Sequence, residues 1–116
     1  MFEAVAGWQK AVADFGGSPS FHDAELKSIE LSGDGKIALR LETVAGVSPQ
    51  GTQRRAIFVF TFFDMQSINL DSWFDRNVIF DFTCRTSSAG GLEFDIDGSV
   101  GVSGSIVCGR AAVVAE

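Results

Sequence analysis

His22 is the only histidine in the chain, and the string Ser20-Phe21-His22-Asp23-Ala24-Glu25-Leu26 places it within three residues of two carboxylates. An imidazole beside Asp23 and Glu25 has the residue types for acid–base chemistry near neutral pH or for ligating a metal ion. The same residues have a structural use. Phe21 can anchor the start of a strand in the core, while Asp23 accepts a hydrogen bond from His22 or from backbone amides exposed there. We take the structural use first, because one histidine with two nearby carboxylates specifies neither a metal nor a reaction. A catalytic triad would need a nucleophile, and no spacing singles out Ser18, Ser20 or Cys84 for that role. No GxSxG elbow, Walker loop or dinucleotide fingerprint occurs, and Gly33-Asp34-Gly35 lacks the later glycine and helix of a phosphate cradle. No catalytic residue, metal or cofactor is expected, and the chain is read as not an enzyme.

A second set of carboxylates, Asp81, Glu93, Asp95 and Asp97, falls in the C-terminal half. If neighbouring strands bring them together they form a solvated sheet face, a patch for a basic partner or, less simply, a pair for acid–base work. Asp95-Ile96-Asp97-Gly98 has two of the oxygens of a calcium loop but neither the spaced ligands nor the closing glutamate. Trp8, Trp73 and the phenylalanines form the core on the simplest reading. They could instead line a small-molecule pocket.

The elements that position these groups belong to one small domain. A chain of 116 residues, 46% hydrophobic and with eleven Phe, has enough apolar surface for one core and too little for two, so residues 1–116 are read as one domain. Its longest apolar run, 56–63, is too short to cross a bilayer, and no signal peptide is evident, which places the chain in the cytoplasm without membrane association. Cys84 and Cys108 are read as buried, reduced thiols. A net charge of −6 repels nucleic-acid phosphates and favours a basic protein partner, the one adjacent basic pair being Arg54-Arg55.

Phe2, Val5, Trp8, Val12 and Phe15 recur at intervals of three and four, which predicts a helix over about 2–15 ended by Gly16-Gly17. Thereafter the period becomes two. Strands are predicted at about 25–32, 36–44, 55–64, 77–85, 91–97 and 100–114, with turns at 33–35 and 87–91 and a loop at 46–51. Residues 66–75 either continue the third strand through Ile68 and Leu70 or turn and plug the edge of the core with Trp73. The fold class is α+β: one N-terminal helix on a mainly antiparallel sheet of about six strands. Exposed sheet edges would allow a homodimer.

The order of Phe21-His22-Asp23-Ala24, the strand around Ile29-Glu30-Leu31, a hairpin and the Ile57-Phe58-Val59-Phe60 strand resembles immunity protein family 50 of bacterial toxin–immunity systems. The resemblance implies a cytoplasmic protein with no active site that binds and neutralises a toxin domain. The leading expectation is therefore an immunity-like binding protein facing a basic toxin with Asp81, Glu93, Asp95 and Asp97. The alternatives are a small-molecule-binding domain with an aromatic-lined pocket near Trp8 and Trp73, and a hydrolase or metal-dependent enzyme centred on His22, Asp23 and Glu25.

Overall fold

A computed structural model describes residues 1–47, 51 and 53–116. It has one helix, α1 (Trp8–Phe15), followed by six strands: β1 (Glu25–Leu31), β2 (Ile37–Val47), β3 (Gln53–Asp71), β4 (Val78–Thr86), β5 (Leu92–Val100) and β6 (Ser103–Ala115). Every strand pairing is antiparallel. The α+β class follows the period change at Gly16-Gly17, where Gly16 at φ 96° lets its amide reach the carbonyls of Val12 and Ala13 and closes the helix.

Alternation alone does not say whether a sheet is open or closed, and this one is closed. The order around the barrel is β1-β2-β3-β6-β5-β4, so two three-stranded meanders join where β3 meets β6 and again where β4 meets β1. The first junction is long, running from Phe58↔Ala115 to Asp71↔Ser103. The second is a narrow seam. There Asp23 donates its amide to the Ile79 carbonyl, Ile79 donates to Ala24 and Leu26 donates to Asn77. Asp23 takes a left-handed φ of 65° to turn the chain into the seam, a conformation aspartate tolerates better than most residues.

Phenylalanine fills the interior. Phe2, Phe21, Phe58, Phe60, Phe62, Phe82 and Phe94 are all buried, and successive rings meet at centroid separations such as 5.2 Å for Phe60–Phe82 and 4.8 Å for Phe62–Phe94. Most meet edge to face, the arrangement favoured by the ring quadrupole. Each fully buried ring contributes roughly 1.5–3 kcal/mol through removal from water.

Several element boundaries differ from those expected, each for a local reason. The helix starts at Trp8, because Gly7 lies at φ 82° with its backbone against β6; a side chain there would place Cβ 2.6 Å from the Val113 carbonyl oxygen. Phe2 and Val5 are still buried, but from a non-helical segment, and on the helix Ala11 takes the innermost place in preference to Val12. That segment completes the wall. β5 pairs with β6 only from Leu92↔Cys108 onward, and beyond that point Ala6 donates to Ala111 and accepts from Val113. β3 continues to Asp71 through a bulge near Met65, so the Ile68 and Leu70 alternative is the one adopted. The last two strands divide at the Gly101 turn, where φ is 82°, which puts Val100 in β5. Of the loop expected at 46–51, Gly46 belongs to β2, and 48–50 lie outside the described residues.

Both cysteines are buried and free. Burial pushes each thiol up to about 11. The native state therefore holds its thiol protons above the pH at which an unfolded chain loses them, so this contribution is complete below about pH 9 and is lost as pH rises toward 11. Thermal melts should show stability falling across that window, more steeply in the wild type than in Cys84→Ala/Cys108→Ala. At pH 8 a thiol reagent should modify neither cysteine until the chain is unfolded. Rapid labelling of the native protein would contradict the buried placement.

Candidate functional site on the outer face of β4 and β5

Strand alternation turns Phe82, Cys84, Phe94 and Ile96 inward, and their neighbours therefore face water. Asp81 sits opposite Asp97, Thr83 opposite Asp95 and Arg85 opposite Glu93. The four carboxylates expected to form one face do share it, but they are not equivalent. Arg85 donates from Nε to Glu93 at 2.7 Å and lies 3.2 Å from Asp95 through Nη1. Pairing with these two carboxylates raises the guanidinium pKa. Asp81 and Asp97 are exposed and have no ion-pair partner among the described residues. Two like charges directly opposite across a strand pair destabilise it, so the free negative charge of this face is concentrated where it is least favourable to the fold. Arg85 and Glu93 flank the turn at 87–91, and that hairpin register is the sequence signal that could have identified the neutralising arginine.

Beside this face the surface is apolar. Phe80 is the extra residue of a bulge between Ile79↔Gly98 and Asp81↔Asp97, and it is 54% exposed. Val78 pairs with Val100, which is also exposed, and the β3–β4 connection presents Trp73 and Phe74 to solvent at 50% and 57%. Trp73 thus does not plug the core edge, because Ser72 at φ 62° turns the chain outward at the end of β3. The connection is held by buried Asn77. Its side-chain amide donates to the Phe74 carbonyl at 3.0 Å, while its oxygen accepts the amides of Phe74 and of Val102 in the β5–β6 turn.

The string around His22 forms the seam. Phe21 enters the core against Phe2, Phe58, Phe60 and Phe82. The His22 Nδ1 lies 2.9 Å from the Phe80 carbonyl oxygen, and since a carbonyl only accepts, this nitrogen carries the proton. The His22 ring meets Phe80 edge to face, and Nε2 is 3.6 Å from Asp23, beyond hydrogen-bond range. Glu25 is engaged elsewhere, at 3.1 Å from Lys27 and 3.7 Å from Arg76. Among the described residues no three His, Cys, Asp or Glu side chains gather as metal ligands, and the partners of Glu25 are Lys27 and Arg76 and not His22.

The tryptophans are also separated in role. Trp8 packs on Phe2 and Phe21, whereas Trp73 makes no ring contact among the described residues. Two surface grooves, each of about 280 Å³, are lined by neither: one lies between the β1–β2 hairpin and β3 beside Leu31, Ile37 and Met65, the other between α1 and β6. No described helix is long and apolar enough to cross a membrane. No known family matches the chain, and comparison with curated proteins and with solved structures found no match to either.

Proposed function

We propose that this chain is a non-catalytic binding protein of the immunity type, which neutralises a basic protein toxin by covering its cationic surface with the outer face of β4 and β5. The supporting observation is the Asp81–Asp97 pair, exposed and opposed across the strands with no ion-pair partner among the described residues. Glu93 and Asp95 belong to the same face but hold Arg85, so they shape its edge and add less free charge. Such a face suits a partner whose lysines or arginines replace the missing counter-charge, speeding encounter and making the complex salt-sensitive. The resemblance of the Phe21-His22-Asp23-Ala24 string to immunity proteins points the same way, although that string builds the barrel seam along β4 and supplies none of the four carboxylates of the face. A cytoplasmic location belongs to this proposal.

Asp81→Asn/Asp97→Asn separates binding from folding. Removing an opposed like-charge pair should leave stability unchanged or slightly higher. Affinity for a basic toxin domain captured from the native cell should fall about tenfold or more at low salt, equivalent to ~1.4 kcal/mol, with a shallower salt dependence. Calorimetric titration of the captured partner at two salt concentrations provides the check. Equal affinity of wild type and variant would remove this face from the interface.

A further inference from the structure

We infer that the exposed apolar cluster of Trp73, Phe74, Phe80 and Val100 is the anchoring half of the binding surface, and that it takes a protein segment in which a bulky apolar side chain is flanked by lysine or arginine. The inference deepens the proposed binding role and rests on it.

The residues of the cluster come from backbone segments that are tied together. Asn77 ties the backbone of Phe74 to the amide of Val102, which places the β3–β4 connection against the β5–β6 turn, and Val78 pairs with Val100 at the base of the same two strands. Phe80 stands two residues along β4, turned outward by the bulge and supported by the edge of His22. In a small domain that sends Phe2, Phe21, Phe58, Phe60, Phe62, Phe82 and Phe94 inward, two phenylalanines and a tryptophan left half-exposed on neighbouring segments mark an interaction site. Tryptophan in particular is enriched among the residues that dominate binding energy.

Charge around the cluster determines the occupant. Asp71 and Asp75 bracket the Trp73–Phe74 connection, and Asp81 and Asp97 lie next along β4 and β5. None of these four has an ion-pair partner among the described residues. The one cation in the connection, Arg76, is drawn toward Glu25 at 3.7 Å. An apolar anchor ringed by unneutralised carboxylates favours a cationic segment and disfavours an acidic one or a second copy of this chain, whose own face would bring like charge.

The test uses two synthetic peptides of equal length and charge, one alternating lysine with leucine and the other lysine with serine, titrated into the intact protein. The two indole N–H signals are followed by NMR. The lysine–leucine peptide should bind about tenfold more tightly and move the Trp73 signal while leaving that of Trp8 in place. Trp73→Ser/Phe74→Ser, substitutions at exposed positions, should abolish the advantage of leucine over serine. Asp81→Asn/Asp97→Asn should weaken both peptides alike. If the leucine advantage survives in Trp73→Ser/Phe74→Ser, or the Trp73 signal does not move, the anchor is overturned while the acidic-face reading stands. If Asp81→Asn/Asp97→Asn changes neither peptide, that reading fails as well. Sedimentation showing concentration-dependent dimers that are lost in Trp73→Ser/Phe74→Ser would overturn the inference by assigning the cluster to self-association.

Discussion

Phe60→Ala is expected to remove ~3–5 kcal/mol of folding stability, a large share of the 5–15 kcal/mol typical of a domain. Phe60 is fully buried and touches the rings of Phe2, Phe21, Phe82 and Phe94, which come from the N-terminal segment, the turn before β1, β4 and β5. Truncation would therefore open a cavity bounded by four separately positioned side chains, none of which can move inward without leaving another partner. Lost transfer energy and cavity cost act in the same direction. Urea denaturation should show the midpoint falling with the slope retained. Phe60→Leu, which keeps most of the volume, should cost distinctly less. A loss below about 1 kcal/mol for Phe60→Ala would mean that the rings do not converge as described.

The second large effect belongs to a residue with no side chain. Gly104 sits in β6 at φ 149°, pressed against β3, and a Cβ there would overlap the Asn69 carbonyl oxygen and stand 2.8 Å from its carbonyl carbon and 2.9 Å from the Leu70 Cα. All of these are backbone atoms of a paired strand, so relief requires parting β3 from β6. Gly104→Ala should cost more than ~3 kcal/mol or prevent folding. Gly33→Ala is the control, since its Cβ would meet nothing within 4 Å in the β1–β2 turn. It should leave stability within about 1 kcal/mol of wild type. Comparable losses in the two variants would show that glycine flexibility, and not close strand approach, governs position 104.

Local patterns were legible wherever a residue's role depends on its neighbours in sequence. The turns at 33–35 and 87–91, the glycine stop after the helix and the strand running through Phe58, Phe60 and Phe62 all fall in this class, although apolar residues on both of its faces left the inward side unread. Barrel closure was not legible, because an alternating strand has the same pattern in an open sheet as in a closed one. It depends on β3 meeting β6, and Asp23 and Ala24 meeting Ile79, across long separations. The start of the helix was hidden because Phe2 and Val5 are apolar at helical spacing yet buried from a segment of turns, in which the Val5 amide donates to the Phe2 carbonyl. The acidic face was legible as a set, but its division into a neutralised half and a free half depends on which residue opposes Arg85. The apolar half was missed because composition assigns every aromatic to the core. Only the left-handed Ser72 and the bulge at Phe80 turn Trp73, Phe74 and Phe80 outward.

The pairing of β3 with β6 also constrains synthesis of the protein. β3 is complete at residue 71, whereas its partner on one edge is complete only at residue 115. A ribosome adding roughly 5–20 residues per second leaves that edge, with the apolar Phe58–Phe63 stretch beside it, unpaired for about 2–9 seconds. During this interval the nascent chain can form the β1–β2–β3 meander but cannot close around its phenylalanines. The period of greatest aggregation risk is therefore set by the order of the strands along the chain, and slowing translation between β3 and β6 would lengthen it.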